Sequence, residues 1–392
     1  MNRKIITILL SLFVLYESNA QNIESVLDEI ETNNTTLQAY RNLNEAQKLE
    51  NKTGIYLENP EMGFNYLWGD PSSIGNRKDF SFNQSFDFPT AYSLKKKIGD
   101  SKNVQSDLEY QLQRKMVLYK AKTICNELIY LNAKEEVLSR RAEHAEEIAK
   151  AYTTKFEQGE INILEKNKAD FHLLNAKKDL EAVLTEHEAL AAELSALNGG
   201  HPVGFNQNTF PPVKLPVDFE SWYKEYQSKD IQLQHADNEI GISEKMIKLS
   251  RALSLPKFSG GYMSESVTGE TFKGVSVGVS IPLWENKNTV KLATAQQQVA
   301  QELANDRKVK TYNQVKGQYE KAVSLKKTLS SYRETMERVN SSDLLKKALE
   351  AGEISFIEYM LELTLYYETA DKILSIENEL NQLAARLFFY EL

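Results

Sequence analysis

Apolar residues recur along most of this chain at steps of three and four, and in four short stretches at steps of two. The first spacing marks one face of a helix and the second one face of a strand. Ala121, Ile124, Leu128, Leu131, Leu138, Ala142, Ala145, Ala149, Tyr152 and Phe156 keep the helical spacing with one position skipped, which predicts one long helix over 91–156. Ala169, Leu173, Ala176, Leu180, Val183, His187, Leu190, Leu194 and Leu197 step four and three without a break, until Asn198-Gly199-Gly200 stops them. A third seam runs Val315, Tyr319, Ala322, Leu325, Leu329, Tyr332, Met336 and Val339 in a helix over 286–351, and a fourth runs Leu363, Tyr366, Ala370, Ile373, Ile376, Leu380, Leu383 and Leu387 in a helix over 358–389. These are coiled-coil seams. A helix as long as the first, roughly 100 Å at 1.5 Å per residue, needs neighbours of similar length to cover it. Two further helices are expected over 21–57 and 219–255, ended by Asn59-Pro60 and by Pro256, because the residue before a proline disfavours helical geometry.

The period-two stretches come in pairs. Met62, Phe64, Tyr66 and Trp68 alternate with smaller or polar residues, and after turn residues Asp70-Pro71, Gly75 and Asn76 the aromatic face continues as Phe80, Phe82, Phe86 and Phe88 opposite Ser81, Asn83, Ser85 and Asp87. In the second half Phe258, Gly260 and Tyr262 share a face, then Val275, Val277, Val279 and Ile281 alternate with Ser276, Gly278 and Ser280. Strands are expected at about 62–68, 79–88, 257–265 and 271–283.

The two halves are copies. Gly159–Glu165 reads G-E-I-N-I-L-E, and Gly352–Glu358 reads G-E-I-S-F-I-E, 193 positions later (352 less 159). Pro89 and Pro282 keep the same offset, and Pro60 and Pro256 lie 196 apart. The unit used twice is helix, strand, strand, long helix, tip turn, helix. The repeats are set at 21–200, with its tip at 156–165, and 218–392, with its tip at 349–358. The Pro-rich stretch 201–217 links them.

Composition narrows the function. Apolar residues make up 41 % and charged residues 26 % of 392, and the net charge of −8 with no Lys/Arg-rich block argues against nucleic acid. Residues 1–20 read as a signal peptide: Arg3 and Lys4, an apolar run over Ile5–Tyr16, then Ser18-Asn19-Ala20. No cysteine stands near that cleavage point. The single Cys125 lies inside a helical pattern and serves packing. No other stretch is apolar for 18 residues, which excludes a helical span of an exported chain and leaves a barrel of strands open. No phosphate-binding Gly loop, H-E-x-x-H or paired C-x-x-C occurs, and no two of the five histidines stand three or four apart. Catalytic, cofactor and metal residues are therefore expected to be none, and the chain is not expected to be an enzyme.

In this order and spacing, the leader without a lipid cysteine, the doubled unit, Asn59-Pro60-Glu61 and the two Gly-to-Glu tips resemble the TolC-like outer-membrane efflux proteins over nearly the whole mature chain. The resemblance implies a mainly α fold with a small β-barrel. Three protomers would close a twelve-stranded outer-membrane barrel, continued by an α-helical coiled-coil tunnel into the periplasm. It implies a passive exit duct of a tripartite efflux pump or type I secretion system in a Gram-negative outer membrane, passing drugs, heavy-metal cations or other small molecules. The implied partners are a periplasmic adaptor, an inner-membrane pump of RND or ABC type, and outer-membrane lipid. Phe156, Gly159, Glu160, Ile161, Gly352, Glu353, Ile354 and Phe356 would be the adaptor-docking tip, and Glu165 and Glu358 would lie at the tunnel entrance. Equally, each of these two acids stands where a helix N-terminus favours negative charge. Phe80, Phe82, Phe86, Phe88, Val275, Val277 and Val279 would face lipid. Leu and Ser, common after the tip Gly in relatives, are replaced here by Glu-Ile. The competing reading is an exported soluble coiled-coil scaffold without a pore.

Overall fold

A computed structural model describes residues 22–339 and 342–392. The expected signal peptide, 1–20, lies outside the described residues. In order, the chain forms α1 (Ile23–Asn33), α2 (Thr35–Glu50), β1 (Glu61–Leu67), β2 (Arg77–Phe86), α3 (Pro89–Glu157), α4 (Ile163–Leu197), α5 (Phe219–Lys229), α6 (Ile231–Leu253), β3 (Lys257–Val267), β4 (Glu270–Ser280), α7 (Thr289–Arg338), α8 (Ser342–Glu350) and α9 (Phe356–Leu387).

Three helices expected to be single are broken. The one over 21–57 is α1 and α2, parted at Asn34, whose backbone is extended. The one over 219–255 is α5 and α6, parted at Asp230, which is also extended and whose Oδ1 accepts from the N–H of Leu233 at 2.9 Å. Asn and Asp favour such breaks because their side chains supply the bond that the helix gives up. The two breaks stand 196 positions apart, the offset of the two prolines. The helix over 286–351 is α7 and a separate α8. α7 gives way to a turn at Val339, and residues 340–341 between the two helices lie outside the described residues.

The chain divides into two compact units. One holds 22–34, Leu118–Lys214 and Ala322–Arg386. Its core is the predicted α3 seam: Ala121, Leu128, Leu131, Leu138, Ala142, Ala145, Ala149 and Tyr152 are all buried. Leu131 and Leu138 pack on Val183 of α4, and Ala142 and Ala145 on Ala176, so small residues let the two helices approach. Buried amides fix the register. Asn126 donates to the Asn381 carbonyl at 3.2 Å, and fully buried Asn198 donates to Glu29 Oε1 at 2.6 Å. Cys125 is buried, and burial pushes its thiol up to about 12, so it stays a packing residue. The stretch 201–217 is pinned rather than loose: Asn132 donates to the Gln207 carbonyl at 2.9 Å and Lys326 to that of Val213 at 3.0 Å, while Phe205 is buried.

The other unit holds Thr35–Val117, Leu215–Lys321 and Leu387–Leu392. Its core gathers the rings of Phe219, Trp222, Tyr223, Tyr226, Tyr319 and Tyr390, with Trp222 Nε1 donating to the Tyr390 hydroxyl at 3.0 Å. It carries a single four-stranded antiparallel sheet, β1-β2-β3-β4. β1 and β4 are its two open edges.

Candidate functional site

The sheet separates two surfaces. Strand register places Met62, Phe82, Tyr262 and Val275 in one row, with Phe64 and Phe80 above it and Gln84 and Val277 below, then Phe86, Phe258 and Val279. These residues form an apolar band on one face, and most of it is bare: Met62 is 70 % exposed, and Val275 and Val277 are 83 % exposed each. A bare band of this size marks a surface meant for lipid or a partner. Phe86 is half-buried, and Phe88 lies past the end of β2, half-buried with its ring 6.4 Å from that of Phe258. Aromatic residues frame the band: Tyr66 and Trp68 at the hairpin end, and Trp284 beyond β4 at the helix end.

The opposite face is mostly small and polar, with Met263 and Phe272 as its large apolar exceptions. Its rows are Glu61, Asn83, Gly261 and Ser276, then Gly63, Ser81, Met263 and Gly274, then Asn65, Asp79, Glu265 and Phe272. A Cβ at Gly261 would stand 2.3 Å from the Phe82 carbonyl oxygen, so only glycine fits there. The cations at this face are paired: Arg77 meets Asp79 at 2.8 Å and Glu265 at 3.1 Å, and Lys95 meets Asp87 at 2.9 Å. A sheet with a bare apolar face and a charge-paired wet face fits a barrel wall between lipid and water.

The tips form the second surface. At the first, α3 ends with Gly159 at φ +75°; Glu160 N–H donates to the Lys155 carbonyl at 2.9 Å and Gly159 N–H to that of Phe156 at 3.0 Å. The second repeats this with Gly352 at φ +73°, Glu353 on Ala348 at 2.9 Å and Gly352 on Leu349 at 3.1 Å. Each is a left-handed glycine stop closed by two crossed bonds. The last Glu of each motif then caps the next helix. Glu165 accepts from Asn162 N–H at 3.2 Å while Asn162 Oδ1 accepts from Glu165 N–H at 3.1 Å. Glu358 accepts from Ser355 N–H at 2.8 Å and donates its own N–H to Ser355 Oγ at 3.3 Å. These bonds hold the Glu358 carboxyl below the usual carboxylate range. Both glutamates are thus reciprocal caps. The Asn and Ser that complete them sit three places before each acid and are legible as such, although the Gly-to-Glu spacing overshadows them.

The two tips share one core. Tyr359, fully buried, and Phe356 pack with Tyr152 and Ala169, joined by Ile161 and Ile354 from the two turns. The Tyr152 and Phe356 rings are 4.4 Å apart. Phe356, expected at a docking surface, is therefore inside, whereas Phe156, Gly159, Glu160, Gly352 and Glu353 are exposed and Ile161 and Ile354 are half-buried. Behind this core lies a polar layer that no sequence pattern signals, because its members come from α3 and α9, more than two hundred residues apart. Arg141 holds Asp371 with two bonds of 2.7 and 2.9 Å, and its guanidinium stacks 4.3 Å from the centre of the Tyr367 ring. His144 Nε2 lies 2.7 Å from the Tyr359 hydroxyl. Burial, then the Lys346 charge, pushes the His144 ring below the usual histidine value near 6.5, with Glu147 opposing.

Among the described residues no helix is long and apolar enough to cross a membrane, and no group of three His, Cys, Asp or Glu is placed to hold a metal ion.

No protein-family profile matches the chain, and no curated protein matches it by sequence. Solved structures do. CusC, described through its folding and transmembrane channel formation, is 14 % identical with a TM-score of 0.77, covering 95 % of each chain. The CmeC outer-membrane channel of Campylobacter jejuni is 14 % identical at 0.77, covering 94 % of this chain and 85 % of its own. The open state of the MtrE outer-membrane channel of Neisseria gonorrhoeae is 13 % identical at 0.71, covering 94 % and 88 %. The chain has the fold of these outer-membrane channels along almost its whole length.

Proposed function

We propose that the chain is the exit duct of a tripartite efflux or type I secretion system, seated in the outer membrane of a Gram-negative bacterium and reaching into the periplasm. The observation that carries this reading is the sheet: an apolar band left bare on one face, paired charges and small residues on the other, and two unpaired edges. Unpaired strand edges are too costly to leave in a bilayer, so four strands must join others. Eight strands from two copies leave an interior filled by side chains, while twelve from three leave a water-filled bore. Three copies are therefore the smallest open duct. The helices support the same count. On α9 Ile357, Leu361 and Leu365 form an exposed stripe one turn apart, and on α4 Leu164, Phe171 and Leu174 form another. A lone chain leaves these bare, and neighbouring copies would cover them.

The duct performs no chemistry. It supplies a path for drugs, heavy-metal cations or other small molecules, and an adaptor and an RND- or ABC-type pump supply selection and energy. The exposed parts of the two tips, Phe156, Glu160 and Glu353 with their glycines, are the docking surface, and buried Phe356 shapes it from beneath. The test is carbonate extraction of membranes followed by planar-bilayer recording of the purified protein. Retention in the extracted membrane and stepwise conductance are expected. Release by carbonate with no conductance would leave the soluble scaffold as the reading.

A further inference from the structure

The outward face of the sheet changes character toward the hairpin turns. Above the row of Phe64 and Phe80, which ends in Ser264 and Lys273, comes Tyr66, Lys78, Ser266 and Thr271. Lys78 and Lys273 thus stand on the same face as the apolar band, at its hairpin end, two strands apart. Strand spacing and rise put their Cα atoms about 12 Å apart. Both are exposed. Among the described residues neither meets a carboxylate, and Lys78 Nζ lies 5.7 Å from the centre of the Tyr66 ring. The neighbouring cation on the other face, Arg77, is paired twice. No Asp or Glu occurs on the apolar face of any of the four strands. The sheet therefore neutralises its water-side cation and leaves its lipid-side cations open.

We infer that Lys78 and Lys273, with the hydroxyls of Ser264, Ser266 and Thr271 between them, form a docking strip for the phosphate groups of an outer-leaflet glycolipid. The inference rests on the membrane reading above. The strands connect to helices at one end and to turns at the other, so in a duct whose helices enter the periplasm the turns lie at the outer leaflet. At headgroup depth a lysine stem lies along the apolar band while its ammonium reaches the phosphate layer. Tyr66 and Trp68 occupy the same depth, where amphipathic rings settle. A phosphate on a sugar scaffold offers the negative charge that this face lacks, and serine and threonine hydroxyls suit the sugar.

The test compares the full chain with Lys78→Gln/Lys273→Gln and with Arg77→Gln, each extracted from outer membranes in mild detergent. Retention of diphosphoryl lipid A and of its dephosphorylated form is read by native mass spectrometry. The double variant is expected to retain roughly thirtyfold less diphosphoryl lipid A, two lysines at about 1 kcal/mol each near an anionic surface. Arg77→Gln is expected to retain as much as the parent, and the dephosphorylated lipid to bind all three weakly and alike. Equal retention of diphosphoryl lipid A by parent and double variant, or equal binding of the two lipids by the parent, overturns the strip while leaving the barrel standing. Absence of the parent chain from carbonate-extracted membranes overturns the membrane reading itself, and the strip with it.

Discussion

Single residues at the tips do two jobs that the chain states only in part. Glu165 and Glu358 look like acids waiting at an entrance, yet each is already engaged by the backbone N–H three places before it. His144 is more consequential. It faces Tyr359 and Tyr367, with Lys346 and Glu147 beside it, and a charge on its ring is felt at His172. Burial lowers the proton affinity of both histidines in the folded chain. The sign follows: above the unfolded value near 6.5 the ring is neutral in both states and the fold keeps its full stability. Below it the unfolded chain takes up the proton first, so stability falls as pH drops through 6.5 and on through the lower folded value. Protection factors of α9 amides around Tyr359, taken against the intrinsic exchange rate at each pH, are expected to fall between pH 7.5 and 5, and His144→Asn to reduce that change. An unaltered pH dependence in the variant would show that the ring is not the sensor.

At the scale of the element, the tip turn is a stop, a two-residue bridge and a start written in seven residues. Gly159 and Gly352 have open space where a Cβ would go, so substitution there is opposed by backbone geometry and not by crowding. Gly352→Ala is expected to cost about 1–2 kcal/mol for holding a left-handed residue, read as a lower unfolding midpoint. A larger loss would mean that the turn packs more tightly than its surroundings indicate. Ser355→Ala removes half of a reciprocal cap and is expected to cost about 1 kcal/mol, measured the same way. Loss of export at unchanged abundance in either variant would locate docking at the tip. The sheet answers to a different test. Phe82→Lys puts a charge in the middle of the apolar band and is expected to cost about 2–4 kcal/mol in a bilayer. Heat-resistant assembly in membranes should then be lost, and its persistence would place Phe82 away from lipid.

For the whole molecule, elements differ in how much the chain alone disclosed. The seams of α3 and α4 were readable because a buried helix face must repeat at 3.6 residues, and the duplication was readable because paired glycines and prolines kept their offset. The breaks at Asn34 and Asp230 were harder. An Asn or Asp within an amphipathic run is common on a solvated face, and only its partner decides; Asn34 donates to the Leu197 carbonyl at 2.7 Å, a residue 163 positions away. Assembly tests this scale. Imaging of the purified protein is expected to show three-fold particles with a central channel, because a single chain leaves two sheet edges and the α4 and α9 stripes uncovered. A solid or single-copy particle would end the duct reading.

The sequence by itself determined the helices α3 and α4, the four alternating strands and the glycine stops, because each rests on local geometry with a fixed period or a fixed dihedral demand. Tertiary structure alone decided that the two tips share one core, that Phe356 turns inward beneath Tyr152, that Arg141 grips Asp371, and that the two cations opening β2 divide into ion-paired Arg77 and Lys78 without a carboxylate partner. Those outcomes depend on which distant segments meet, and periodicity carries a residue's face but never the identity of what lies against it.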